Sequence, residues 1–184
     1  MCLRTGADGE DATGAYADPR LLGHIYVGPY LALEPNLAFV LDDGKPIGNV
    51  LGAQDTVDFD RACERQWWPR LRRRYADPAA GRTWTPDEHL RHMIHHPPRL
   101  DPALLAQFPA HLHIDLLPRA QGAGHGRRLI TRLLDELRAT GAAGVHLVTR
   151  AKNARAIGFY DRIGMRALLT LPGSVVMGQR LRPG

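Results

Sequence analysis

The residues with the clearest chemical potential are three glycines at alternate positions, Gly122, Gly124 and Gly126. They follow an apolar stretch that ends at Pro118, and a helical pattern begins directly after them. Glycine adopts positive φ angles and lets a ligand approach backbone N–H groups closely. The first turn of a helix adds unpaired N–H donors and the positive end of the helix dipole. A strand, a glycine-rich turn and a helix start together predict an anion-binding loop, usually for phosphate.

Two common phosphate-binding loops do not fit this segment. A Walker loop requires Gly-Lys followed by Ser or Thr, whereas the sequence has Gly-His-Gly-Arg-Arg. A dinucleotide fingerprint requires a different glycine spacing and a later acidic residue, and the following strand ends in Thr149-Arg150. The pattern Gln/Arg-x-x-Gly-x-Gly/Ala is met by Gln121, Gly124 and Gly126. It resembles motif A of the GNAT superfamily of acyl-CoA N-acetyltransferases, whose loop holds the CoA pyrophosphate.

A second resemblance lies downstream, where Asn153 begins the series Asn-x-x-Ala-x-x-Phe-Tyr. Gly164 follows it between two apolar residues, at the point where the helix is expected to stop. This series is similar to motif B of the same superfamily, and its order and spacing from motif A match as well. The two resemblances imply one set of residues around acetyl-CoA as cosubstrate: Leu116, Leu117, Gln121, Gly122, Ala123, Gly124, His125, Gly126, Arg127, Asn153, Phe159 and Tyr160.

Acetyl transfer from a thioester to an amine requires polarisation of the carbonyl, a proton acceptor and a proton donor. In GNAT enzymes a backbone N–H of the motif A strand polarises the carbonyl, which corresponds to Leu116 or Leu117 here. Tyr160 matches the family's acid for the thiolate, although a buried core aromatic is the alternative. Asn153 contacts CoA, caps its helix, or does both.

The base is sought on the strand before the loop, where His111, His113 and Asp115 alternate and so share one face. Polar residues on one face of a central strand require partners. We nominate Asp115 as base or amine ligand and His113 as the second candidate. A purely structural Asp–His hydrogen bond remains an equal alternative. The family's chemistry needs no metal, and none is assigned.

A wider likeness covers most of the chain. Residues 5–13, 25–30 and 111–115 resemble bacterial GNAT proteins related to the acetyltransferase-like domain of O-GlcNAcase. That domain is regarded as a pseudo-acetyltransferase without the CoA loop, whereas the loop is intact here. Two functions therefore stay open. One is an N-acetyltransferase acting on an unidentified primary amine by direct attack in a ternary complex. The other is a catalytically silent CoA-binding or protein-interaction module.

Several elements are predicted to position these residues. Strands at 111–117 and 145–149, joined by a helix, form a right-handed βαβ unit with the ligand at their carboxyl ends. Hairpins are predicted from 37–41 with 47–54, and from 165–169 with 174–181. Helices are predicted at 58–75 and 85–96, with short helices or irregular segments at 22–33 and 100–108.

The resemblance implies one GNAT domain over residues 1–184, with a helical insertion at 55–109 and the acyl-CoA-binding core at 110–170. The expected fold class is mixed α/β, with a twisted, mostly antiparallel sheet and a parallel pair splayed at the acyl-CoA site. The family's first strand is expected to be missing, with Cys2 to Gly6 corresponding to the end of the helix after it. That would leave an unpaired sheet edge.

Composition narrows the class further. The net charge is +5, but nucleic-acid binding needs a clustered basic face, so we disfavour it; a positive field also suits a CoA ligand. Apolar runs are too short for a membrane span, no signal peptide is evident, and Cys2 and Cys63 are too few for a disulfide framework. The expectation is a cytoplasmic protein without a membrane partner, and a homodimer is left open. His89, His92 and His96 share a helix face without a Cys or a metalloprotease-type Glu, so we interpret them as surface histidines.

Overall fold

A six-stranded sheet runs through the part of the chain that the computed structural model describes, residues 2–6 and 11–181. The strands are β1 (Ala38–Asp42), β2 (Pro46–Ala53), β3 (Ala110–Leu116), β4 (Gly144–Arg150), β5 (Arg166–Leu171) and β6 (Ser174–Arg180). Their order in the sheet is β1-β2-β3-β4-β6-β5, and β3 with β4 is the parallel pair in this described sheet. The expectation of a mixed α/β, mostly antiparallel sheet is confirmed.

Helices cover both faces of this sheet. They are α1 (Leu21–Tyr26), α2 (Gly28–Leu33), α3 (Thr56–Gln66), α4 (Trp68–Arg74), α5 (Pro86–His95), α6 (Pro102–Gln107), α7 (His125–Ala139) and α8 (Ala154–Arg162). Short 3-10 turns occur at Cys2–Arg4, Pro35–Leu37 and Pro118–Ala120. No helix in the described ranges is long and apolar enough to cross a membrane.

Alternation along β2 and β3 separates two hydrophobic cores, because successive side chains of a strand point to opposite faces. Val50 and Leu112 pack with Leu133 of α7 in the first core. Leu51 lies on the other face, in a second core built from α1 to α5 that includes Trp67. The polar face of β3, which carries His111, His113 and Asp115, is therefore turned toward the N-terminal helices.

The helix predicted over residues 58–75 is two helices, and this expectation was wrong. The helix α3 ends where the Trp67 N–H bonds to the Cys63 carbonyl oxygen, and α4 begins at Trp68. Pro69 has no N–H to continue the α3 hydrogen-bond series and fits only the first turn of a helix. The break turns both Trp67 and Trp68 into the second core.

The predicted start of the next helix is confirmed in detail. The Thr85 side chain accepts a hydrogen bond from the Glu88 N–H, and the Glu88 carboxylate accepts one from the Thr85 N–H at 2.9 Å. This reciprocal capping satisfies two donors that a helix start otherwise leaves unpaired. The helix runs to His95, and His96 is its C-cap residue.

The sheet begins at an edge formed by β1. Within the described ranges no strand precedes Ala38, and Cys2–Arg4 forms only a 3-10 turn. β1 pairs with β2 alone in that part of the chain, and the Val40 side chain on it is 57% exposed. The loop between these strands places Gly44 at φ +98°, a conformation that the predicted Asp-Gly turn requires.

Candidate active site

The parallel strands β3 and β4 separate almost as soon as they meet. Their pairing is limited to Ala110 with Val145 and His111 with His146. Beyond that point β3 continues to pair with β2, and β4 continues to pair with β6 as far as Arg150. A V-shaped gap therefore opens between the carboxyl ends of two central strands, the usual position of a ligand in such sheets.

Backbone polar groups of β3 face this gap. The Leu117 N–H donates to the Ile47 carbonyl oxygen on the β2 side at 2.9 Å. Adjacent residues of a strand direct their N–H and C=O groups to opposite sides, so those of Leu116 point toward the gap. The Gln121 side chain confirms this direction, because its Nε2 donates to the Leu116 carbonyl oxygen at 2.9 Å.

The glycine-rich loop lies at the wide end of the gap. Gly122 and Gly124 have φ angles of +82° and +76°, and a Cβ atom built on either would meet nothing within 4 Å. Both glycines, with Ala123 between them, therefore border open space. The first helical bond of α7 joins the Arg128 N–H to the Gly124 carbonyl oxygen at 3.1 Å. Helix geometry leaves the N–H groups before it without partners inside the helix.

Gly126, unlike Gly122 and Gly124, is closely packed against neighbouring side chains. A Cβ atom there would lie 3.1 Å from Leu116 Cδ1 and 3.2 Å from Phe159 Cζ. The glycine lets the first turn of α7 approach both β3 and α8 closely. Beside it, the Arg128 guanidinium donates to His125 Nδ1 at 2.6 Å, and Arg127 is exposed.

His111, the first polar residue of β3, is held by a complete hydrogen-bond network. The Thr56 hydroxyl donates to the Pro109 carbonyl oxygen at 2.7 Å, so it accepts from His111 Nδ1 at 2.8 Å. His111 Nε2 then accepts from the Tyr30 hydroxyl at 2.8 Å. Burial holds the pKa of His111 well below its usual range. A neutral, fully bonded imidazole stabilises the fold and has no free nitrogen for catalysis.

Among the described residues, the His113 imidazole contacts aromatic rings. Its imidazole lies edge-on to Tyr26 at 5.8 Å and to Tyr30 at 5.4 Å between ring centroids. Burial lowers the pKa of His113 to about 4, with a smaller contribution from His146. The side chain is therefore neutral at physiological pH, as a proton acceptor must be.

Asp115 completes the polar face and lies near the gap. Burial raises the pKa of its carboxyl group, while a hydrogen bond from Thr5 acts in the opposite direction. Burial raises the pKa of Tyr160 to about 12, and the Asp115 charge adds to this effect. The same two causes raise the pKa of the Cys2 thiol to about 11. The structure thus brings a carboxylate, a protonated phenol and the N-terminal turn together.

The motif B residues lie on and before α8. The Asn153 side chain accepts a hydrogen bond from the Ala156 N–H at 3.0 Å, so it caps this helix. The Phe159 and Tyr160 rings lie 5.5 Å apart, and Tyr160 is buried in the first core. Capping and core packing are thus both present at these positions.

Sequence reasoning missed the residues that cover Asp115 and His113. Cys2, Thr5 and Tyr26 lie far from the loop in sequence. Thr5 and Tyr26 fall within the segments of the wider O-GlcNAcase likeness, but that likeness assigned them no role at the site. The Tyr26 hydroxyl in turn contacts Met93 Sδ of α5 at 3.8 Å. The helical segment between β2 and β3 therefore reaches the side of the site opposite the loop.

Comparisons with known proteins agree with this geometry. Residues 29–165 match the acetyltransferase (GNAT) family, and this range contains both motifs. The chain is 39% identical to SsHAT, whose crystal structure superposes with a TM-score of 0.92 over 100% of this chain and 91% of that one. A complex of Chaetomium thermophilum Naa20 with a bisubstrate analogue shares the fold, with a TM-score of 0.50, 20% identity and coverage of 82% and 69%.

Among curated proteins, the chain resembles protein O-GlcNAcase of Rattus norvegicus and of Mus musculus. Identity to each is 26% over 171 residues, which is 90% of this chain. The chain spans only 19% of the length of these relatives. The family match over most of the chain, the SsHAT likeness and the splayed strands agree: this chain belongs to the acetyltransferase (GNAT) family.

Proposed function

We propose that the protein transfers an acetyl group from acetyl-CoA to a primary amine by direct attack in a ternary complex. The observation that carries this proposal is the gap between β3 and β4, with an open helix start at one end and half-buried Asp115 and buried Tyr160 beside it. Family membership supports acetyl transfer as the reaction class.

The residues present fit a CoA ligand. The N–H groups of His125, Gly126 and Arg127 would bond the pyrophosphate, and the open space at Gly122 and Gly124 would admit it. Leu116, Leu117 and Phe159 would border the pantetheine arm in the gap. Gln121 holds the loop to the strand end, and Asn153 fixes the start of α8. The bound ligand supplies an activated acetyl thioester.

Each remaining role then falls on a group of this chain. The Leu116 N–H would donate to the thioester carbonyl oxygen, where negative charge develops. Asp115 accepts the proton that the amine loses as its nitrogen bonds to the carbonyl carbon. Tyr160 donates its phenolic proton to the thiolate when the carbon–sulfur bond breaks, and is reprotonated afterwards. His113, which is neutral, is the second candidate for the base.

A second function is favoured by one observation. A hydrogen bond from Thr5 already occupies Asp115, which makes the carboxylate a weaker base. The 26% identity to O-GlcNAcase is consistent with this alternative, because the sequence resemblance is to that protein's acetyltransferase-like domain, which is regarded as a pseudo-acetyltransferase. On this alternative the chain binds CoA and acts as an interaction module without turnover.

Thiol release from acetyl-CoA, measured across a panel of amines, separates the two functions. We expect acceptor-dependent release that falls roughly a hundredfold in Tyr160→Phe and in Asp115→Asn, the usual scale for a lost proton-transfer group. Tyr75→Phe is the control. It removes a hydroxyl that bonds Asp18, and because neither residue belongs to the proposed site, this variant should keep full turnover. Acetyl-CoA binding without release for any amine would favour the module. Release that survives both site variants would reject the assigned roles.

A further inference from the structure

One group of potential metal ligands lies on the helical segment between β2 and β3. Among the described residues, Asp77, His92 and His96 are the group whose ligand atoms all lie within 4.8 Å of one another. His92 is in the last turn of α5 and His96 is its C-cap residue, so the two imidazoles lie four residues apart on one face. Asp77 comes from the connection between α4 and α5.

The three side chains already converge. The Asp77 carboxylate contacts His92 Nδ1 at 3.1 Å through one oxygen and His96 Nε2 at 2.6 Å through the other. The imidazole rings of His92 and His96 have centroids 4.3 Å apart. Tetrahedral zinc, with bonds of about 2.0–2.2 Å, needs ligand atoms about 3.3 Å apart. The separations of the ligand atoms, up to 4.8 Å, differ from that spacing by about 1.5 Å at most.

The backbone that carries Asp77 is held in place independently of the cluster. His95 Nε2 donates to the Tyr75 carbonyl oxygen at 2.7 Å, two residues before Asp77. The Tyr75 hydroxyl donates to the Asp18 carboxylate at 2.8 Å, and its ring is buried. The carboxylate therefore reaches the helix end without having to order a free loop, which lowers the entropic cost of closing a site.

One side of the cluster is shielded by an aromatic ring. The Trp84 ring lies 4.5 Å from the His92 ring and 5.4 Å from that of His89. Trp84 is itself fixed, because its Nε1 donates to the Ala79 carbonyl oxygen at 2.8 Å. Shielding and orientation of a ligating imidazole by neighbouring groups are features of protein metal sites.

We propose that Asp77, His92 and His96 bind one divalent transition-metal ion of the zinc class. Two imidazoles and a carboxylate are the donor set that such ions prefer, whereas magnesium and calcium prefer oxygen alone. The ion takes the place of the hydrogen bonds between the carboxylate and the two rings, and each neutral ring carries its proton on the other nitrogen. Three protein ligands leave one position for water. The ion cross-links the end of α5 to the α4–α5 connection.

The proposal is tested by titrating Zn²⁺ into the full chain, freed of any histidine tag and of prior metal. Calorimetry should show one saturable ion per chain, and the melting temperature should rise with Zn²⁺ because the ion binds the folded state. Asp77→Asn and His96→Gln should each weaken binding roughly tenfold or more, as loss of a ligand implies. His89→Gln is the matched control, since it also contacts Trp84 but lies outside the cluster.

Co²⁺ gives a second measurement on the same proteins. Visible absorption typical of a low-coordinate site should appear on addition of Co²⁺ and be absent in the double variant His92→Gln, His96→Gln. Absence of saturable Zn²⁺ binding by the folded chain would overturn the proposal. Equal affinity in the wild type and in a folded Asp77→Asn protein would overturn it as well, because the ion would then sit on other ligands.

Discussion

His111, His113 and Asp115 share one face of β3, and each meets a different environment. His111 donates a hydrogen bond to Thr56 and accepts one from Tyr30, aromatic rings lie edge-on to His113, and Thr5 of the N-terminal turn bonds Asp115. Alternation along the strand was sufficient to predict the shared face. It could not rank the three residues, because their partners come from helices far away in the sequence.

His113 makes the stability of the fold depend on pH. Its pKa is about 4 in the folded protein, against about 6.5 for an exposed histidine. Below pH 6.5 this histidine is protonated in the unfolded chain but not in the folded one. Its contribution to the free energy of unfolding is therefore fully present above pH 6.5 and is lost as the pH falls toward 4. At 1.36 kcal/mol per pH unit, the loss amounts to about 3 kcal/mol. Burial of His111 and His146 acts in the same direction.

Urea unfolding at a series of pH values between 7.5 and 4.5 measures this dependence. His113→Gln should flatten the slope, whereas exposed His89→Gln should leave it unchanged. A free energy of unfolding that stays constant over this range would contradict the burial of neutral histidines.

At the scale of elements, the sequence predicted those features that depend on residues close together in the chain. The strand, glycine turn and amphipathic helix around Gly124 are adjacent in sequence, and so are the capping residues Thr85 and Glu88. The prediction of a single helix over residues 58–75 was wrong. It gave the helical periodicity and composition of this segment more weight than Pro69, beside which one helix ends and the next begins in the folded protein. The ligand-like approach of Asp77 to His92 joins separate elements, and no local pattern announced it.

The capping box gives a direct measurement of one such local signal. Thr85→Ala removes the side-chain oxygen that accepts from the Glu88 N–H, and we expect the free energy of unfolding to fall by about 1 kcal/mol. Thr83→Ala, two residues earlier and exposed in an irregular segment, is the matched control. Equal stability of the two variants would mean that the box does not hold the start of α5.

At the scale of the whole molecule, the sheet separates two tasks. The first core, with α7 and α8, supports the loop and the gap. The second core, from α1 to α5, packs against the other face of the sheet, which carries the polar side chains of β3. The motif resemblances predicted the first half well, because motifs A and B lie there. The second half contains only segments of the wider O-GlcNAcase likeness, which assigned no role to Thr5 or Tyr26, so the contacts of Cys2, Thr5 and Tyr26 emerged only from the folded chain.

The proposed function depends most directly on acetyl-CoA binding at the glycine-rich loop. Gly124→Glu places a side chain and a negative charge where the phosphates would lie, and it also strains a residue with φ +76°. Gly141→Glu is a closely matched control, since Gly141 has φ +82°, borders open space and lies past the far end of α7, roughly 22 Å away at 1.5 Å per residue.

The decisive measurement is calorimetric affinity for acetyl-CoA, taken with the melting temperature on the same preparations of wild type, Gly124→Glu and Gly141→Glu. We expect similar melting temperatures for the two variants. In Gly124→Glu alone, we expect the affinity to fall by well over the tenfold that about 1.4 kcal/mol represents. A folded Gly124→Glu protein that binds acetyl-CoA as tightly as wild type would show that this loop does not hold the ligand.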